Sequence, residues 1–301
     1  NSNAAKDPDA VSPGYGNTFT LALAITHAVE LGATVINLSA VACAPVGAPI
    51  DDAPLGRALR YAFERNVVTV AAAGDLNAQG LCRAQNEVRD PNRPQSTAWE
   101  SVRTISSPAW FGDYVLTVGA VALDASPAEF SLRGPWVDVA APGQELTSLN
   151  PNGVGLSNAF PDPQNGPVAI NGTGYAAALV AGVVALVRAK FPEMTAGQVV
   201  DRIKRTARTP GNGPNPATGF GVVDPVAALT YDLPPADESP DPLAGSVVAD
   251  PGARSPAIGS GRGVALAALG ACVALAAVAG ALAIAFNRRR ADDHNPNRRS
   301  R

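Results

Sequence analysis

The sequence predicts an α/β domain, a largely parallel sheet with helices on both faces, joined by a disordered linker to one C-terminal transmembrane helix. Three observations carry this reading. Apolar stretches at helical spacing alternate with short β-branched runs along the first half of the chain. Leu233–Gly263 is dense in Pro, Gly and acidic residues, a composition that need not fold. Val264–Phe286 runs for 23 residues without a charge, roughly 34 Å of helix, enough to cross a bilayer. Composition agrees. The 301 residues are 46% hydrophobic and 16% charged, too apolar for a disordered chain, and the 29 Gly and 27 Pro follow no triplet period.

The elements follow in order. Residues 18–30 (TFTLALAITHAVE) have helical apolar spacing, and after Gly32 the run ATVINLS reads as a buried parallel strand. Helix then strand repeats with LGRALRYAFERN at 55–66 and VVTVAAAG at 67–74. YVLTVGAVAL at 114–123 and WVDVAAPG at 136–143 add two more strands, the second ending in a turn. Residues 75–112 are long and polar for a connection on such a sheet, a trait of functional loops. Residues 171–207 supply two helices, YAAALVAGVVALVRAKF and TAGQVVDRIKRTA, with Pro192 breaking the run between them. The expected organisation is a domain over 1–232, a linker over 233–263, a membrane span over 264–286 and an Arg-rich tail over 287–301.

Charge orients the span. The tail holds six Arg against two Asp, a net of +4, so the residues before it carry −7 of the total −3. Arginine on the C-terminal side places the tail in the cytoplasm and residues 1–263 outside it, in a single-pass topology. An acidic body argues against nucleic acid as a partner. Small residues such as Gly270 and Ala274 along the span would let a neighbouring helix approach closely. Cys272 falls in the span, which leaves Cys43 and Cys82 in the body. Outside the cytoplasm these two are expected to pair, two free buried thiols being the alternative.

The run NGTGYAAALVAGVVALV (171–187) resembles the nucleophile segment of subtilisin-like serine proteases, the subtilases. GATVINLSA (32–40) is similar to the strand lining their substrate cleft, and VTVAAAGD (68–75) to the strand ending at the oxyanion residue. FSLRGPWVDVAAPG (130–143) and GFGVVDPVAAL (219–229) match two further segments, in the family's order. The cysteine-bearing loop, the Pro-rich linker and the C-terminal span resemble one branch, the mycosins, membrane-anchored subtilases associated with type VII secretion. The resemblance implies a subtilisin-like sheet, type VII secretion membrane components as partners, the bilayer held through 264–286, and a peptide or protein substrate for the ectodomain. No cofactor is expected and no metal-ligand cluster is visible in the residues, although subtilases can hold structural calcium.

The site residues depart from the family. Gly174 stands at the nucleophile position and has no side chain with which to attack a carbonyl. Asp75 stands where an Asn amide usually donates to the oxyanion, and a carboxylate there repels that charge. Ser39, Ala40, Val41, Ala72, Ala73 and Gly74 correspond to the cleft strands, with Val41 in the place of a cleft-lining Gly and Ala178 in the place of a Pro. His27 and His294 are the only histidines; His27 is expected to face packing partners within its helix, and His294 lies in the tail. The family's triad runs Asp, His, Ser, so its strand and helix bearing Asp and His are missing from this chain. They are expected upstream of Asn1, since a fold without its central strand leaves raw sheet edges and an open core.

Other candidates read as structural: Asp138 and Asp224 as turn or helix partners, Asp51-Asp52 as a solvated loop, and Trp110, Trp136 and Tyr175 as core or cleft wall. The expected function is a complex-stabilising mycosin-like component without proteolysis in this form. The alternatives are an active extracytoplasmic endopeptidase, were Gly174 to replace a native serine, and a peptide-binding module that does not cleave.

Overall fold

The computed structural model describes residues 17–234 apart from 49, 78–81, 88–98, 100, 151–152 and 163–165. The chain divides into Asn1–Glu238 and Ser239–Arg301, and every described residue lies in the first unit. The linker beyond 234, the span at 264–286 and the tail lie outside the described residues.

Helix α1 (Thr18–Glu30) opens on a reciprocal cap, in which Asn17 Oδ1 accepts from the Thr20 amide and Thr20 Oγ1 from the Asn17 amide. It leads to β1 (Val35–Leu38) and β2 (Ala42–Pro45). Helix α2 (Ala53–Glu64) has Pro54 in its first turn, where a missing amide costs nothing. Strand β3 (Val68–Ala72) follows, then β4 (Thr104–Ser107), β5 (Val115–Val121) and β6 (Val139–Pro142). Two small antiparallel ribbons come next, β7 (Ser148–Leu149) with β8 (Leu156–Ser157), and β9 (Ala159–Asp162) with β10 (Gly166–Ala169). The chain then forms α3 (Thr173–Lys190), α4 (Ala196–Thr206) and α5 (Pro225–Thr230).

The main sheet is parallel in the order β1-β3-β5-β6. Alternation along β3 divides the core. Val68, Val70 and Ala72 pack on one face with α3 and α4 residues such as Val180, Val184 and Val199. Ala71 turns to the other face and packs with Ile25 of α1 and Leu55 and Leu59 of α2. Every residue of β3 and β5 is buried, as both-face coverage requires of parallel strands. A third cluster joins Cys43, Cys82, Ala73, Leu132 and Trp136 around the β2–β4 pair.

The two ends of the sheet differ. The outer side of β6 is continued by a parallel bridge from Ala140 to Val222. β1 pairs only with β3 among the described residues, and its Asn37 is exposed. The helices beside it also leave apolar residues in solvent, Phe19 and Leu23 on α1 and Leu179 and Leu186 on α3. Helix α3 is long and apolar enough to cross a membrane by length and composition, yet one side of it, from Ala176 to Val187, packs on the sheet.

Several element limits differ from the sequence expectation. β6 starts at Val139, and a turn at Pro135–Trp136, closed by the Val137 amide on the Gly134 carbonyl, leads into it. Helix α3 starts two residues before Tyr175, at Thr173. The loop expected over 75–112 contains β4, antiparallel to β2 with Cys43 opposite Ser106. The ACAP of β2 carries little β signal and the TISS of β4 only Thr104 and Ile105, so pairing makes them strands.

Candidate functional site

Three chain segments meet at the C-terminal ends of β1 and β3, the side of a parallel sheet where ligand sites form. Past β1 lie the exposed Ser39 and Ala40 and the half-buried Val41. Past β3 lie the buried Ala73 and Gly74 and then the exposed Asp75. The third segment is the first turn of α3. Ser39 Oγ donates to the Gly174 carbonyl at 3.0 Å, and Asn37 Nδ2 donates to Ser39 Oγ at 2.9 Å. The Gly74 amide donates to Thr173 Oγ1 at 3.1 Å. Asp75 Oδ1 accepts from both the amide and the hydroxyl of Thr173, each at 2.8 Å. Ser39, Gly74, Asp75 and Gly174 therefore share one corner, while the Ala72 side chain lies in the core beside α3.

Close approach shapes this corner. A Cβ on Gly174 would sit 3.1 Å from both the Cβ and the carbonyl oxygen of Ser39, so a side chain there would push Ser39 back by a few tenths of an ångström. A Cβ on Gly172 would lie 3.1 Å from Asp75 Oδ2, in a backbone conformation that L side chains rarely adopt. Gly172 supplies α3 with no side-chain cap, and its own amide donates to Gly143 beyond β6. Tyr175 is exposed and stacks on Phe160 of β9 with centroids 6.4 Å apart. Val41 packs against both the α3-side core and the Cys43 cluster, which makes it a wall rather than an opening.

Cys43 and Cys82 are joined as a disulfide with Cα atoms 5.1 Å apart, tying β2 to the long loop. That loop is further fixed by buried Asn86. Its Oδ1 accepts from the Arg103 and Thr104 amides, and its Nδ2 donates to the Thr104 and Arg133 carbonyls. Neither Asn86 nor Thr173 stands out in the sequence, because their partners lie far along the chain.

Two expectations are corrected. Asp52 is buried, not solvated: its Oδ2 accepts from Trp110 Nε1 at 2.9 Å, bringing the long loop against α2. His27 is exposed rather than packed, and it sits on α1, across the sheet from α3. No histidine therefore reaches the corner among the described residues. Asp224 caps α5, accepting from the Ala227 amide at 2.9 Å, and pairs with Arg208. The amide bond first and the guanidinium second hold its carboxyl below the usual range. Asp138 lies buried between the Thr117 amide and Lys204 Nζ at 2.8 and 2.7 Å. Among the described residues no three His, Cys, Asp or Glu side chains gather as a metal set.

Residues 9–222 match the model of the subtilase family. The chain belongs to the subtilase family. The mycosin resemblance holds as well: Mycosin-5 of Mycobacterium tuberculosis is 47% identical over 227 residues, covering 74% of this chain and 38% of that protein. A crystal structure of MycP1 with the N-terminal propeptide removed superposes with a TM-score of 0.67 at 45% identity, covering 72% of this chain and 68% of that one. The periplasmic assembly of an ESX-5 inner membrane complex contains a chain 46% identical, with a TM-score of 0.68, covering 74% of this chain and 54% of that one. The chain spans about half the length of the curated relatives it matches.

Proposed function

We propose that this chain is a mycosin-like component of a type VII secretion system that stabilises the membrane complex and does not cleave peptides in this form. The observation that carries the reading is Gly174. It offers no nucleophile, and Ser39 lies against the place where a nucleophile's Cβ would be. In subtilisin, loss of the serine alone lowers turnover about a millionfold. Asp75, whose oxygen accepts where a donor would be needed, supports the same reading. The relatives found within ESX inner membrane assemblies support the partner class.

In this reading residues 1–232 form the extracytoplasmic domain, 233–263 the linker, 264–286 the single span and 287–301 the cytoplasmic tail. The edge of β1, which has no second partner strand among the described residues, and the exposed apolar residues of α1 and α3 support completion of the sheet by a further strand and helix in the working protein.

A fluorophosphonate probe applied to the purified protein tests the absence of cleavage chemistry: no covalent adduct is expected, and an adduct within the domain would overturn it. For the stabilising role, a chain lacking 1–230 but keeping the span should fail to support secretion. Undiminished secretion from that deletion would remove the role from the ectodomain.

A further inference from the structure

An 18-residue helix that is buried on one side usually begins on a Ser, Thr, Asp or Asn whose side chain accepts from its first free amides. α1, α4 and α5 each do so, through Asn17, Thr195 and Asp224. α3 is the longest of them and begins on Gly172, which has no side chain to offer. The missing acceptor comes from another part of the chain. Asp75, 98 residues earlier, takes the first amide of the helix on Oδ1 and holds the Thr173 hydroxyl on the same oxygen. That hydroxyl, on a residue 1% exposed, in turn accepts from the Gly74 amide, so the chain entering Asp75 and the helix leaving Thr173 are locked to each other twice. The segment is held from behind as well, by Leu132 N to Gly74 O at 2.8 Å and Leu76 N to Phe130 O at 2.7 Å.

We propose that Asp75 is a positioning residue that serves as the external N-terminal cap of α3. Its carboxylate satisfies the positive end of the helix from outside, at the position where a cleaving subtilase would stabilise an oxyanion. The clamp deepens the reading of a corner without cleavage chemistry and rests on it. A group that must donate to a transient anion is free to become a permanent acceptor only if no anion forms there. A carboxylate also suits a helix N-terminus better than an amide does, because it adds charge complementarity to the hydrogen bond. The corner is then a joint between β3 and α3, and Gly172 suits it because its backbone conformation is one that L side chains rarely adopt and a Cβ there would press on Asp75 Oδ2.

Amide hydrogen exchange at Thr173 and Gly74 reads the clamp directly. In Asp75→Ala, which removes the acceptor, both amides are expected to exchange about tenfold faster than in the unchanged protein. Asp75→Asn keeps an oxygen acceptor and should rescue most of that protection. The gap that remains between Asn and Asp should narrow between about 0.05 M and about 1 M NaCl, as a charge–dipole contribution does. Purely steric packing would show neither the rescue nor the salt dependence. Unchanged exchange at Thr173 in Asp75→Ala, or exchange in Asp75→Asn as fast as in Asp75→Ala, would overturn the proposal. Should Asp75→Ala fail to fold, Asp75→Asn carries the test: exchange at the Thr173 amide faster than in the unchanged protein at about 0.05 M NaCl and converging on it at about 1 M supports the cap, and equal exchange at both salts overturns it. A fluorophosphonate adduct would remove the non-cleaving reading and leave the exchange rates as they are, so the two can fail separately.

Discussion

Asp75 and Asp138 are the same side chain put to the same use, and their surroundings differ almost as far as a protein allows. Each carboxylate accepts a backbone amide at 2.8 Å and ties an α-helix to the parallel sheet. Asp138 does it inside the molecule, with Lys204 of α4 2.7 Å away as counter-ion. Asp75 does it in solvent, and its second partner is a neutral hydroxyl. Burial dominates at Asp138 and pushes its carboxyl above the usual range, although Lys204 and the Thr117 amide pull it down. A buried charge is only as secure as its counter-charge, whereas an exposed one is screened and costs little to lose. The Asp138 joint should therefore be strong and brittle, and the Asp75 joint weak and tolerant.

The most severe test of that contrast is Lys204→Met, which leaves the Asp138 carboxylate buried without its partner. A loss of about 3–5 kcal/mol is expected in urea unfolding at neutral pH, and a loss under about 1 kcal/mol would mean that the carboxylate is better solvated than its burial implies. The pH dependence follows from the direction of the shift. The folded protein keeps the Asp138 proton when the unfolded chain has already released it. This group's contribution is therefore fully favourable below the ordinary carboxylate value of 3.8 and is lost as pH rises through the higher folded value. Lys204→Met should accordingly regain part of its stability as pH falls towards about 4. The double variant with Asp138→Asn should show no such recovery.

On the exposed side, Thr173→Val removes the hydroxyl shared by Asp75 and the buried Gly74 amide. It should cost about 1–3 kcal/mol by thermal unfolding, mainly for the amide left unpaired. Asp75→Asn should be the mildest change, a few tenths to about 1 kcal/mol at low ionic strength and near zero in high salt. An Asp75→Asn cost that matched Lys204→Met and ignored salt would erase the distinction between the two aspartates.

Much of the fold is legible in the residue pattern. VVTVA and YVLTVGAV are rich in β-branched residues because β3 and β5 are covered on both faces, and a helix period marks α1 and α2 through the residues that reach the core. The α4 cap is written locally in Thr195 and Gln198, three residues apart. β2 and β4 are not legible, since ACAP and TISS become strands only by pairing with each other across the disulfide-tied loop. His27 and Asp52 depart from expectation for a related reason. Exposure depends on which elements pack together, and α1 turns His27 outward while Trp110 arrives over Asp52 from 58 residues away.

The identities of Gly174 and Asp75 and the family itself are properties of the sequence, because each can be read from an ordered run of motifs. What those two residues touch was decided by the tertiary structure. The acceptor for α3 lies 98 residues before the helix, and the hydroxyl that closes on Gly174 lies 135 residues before it. Hydrogen bonds reach about 3 Å, so their partners are fixed only when the sheet brings distant chain segments together.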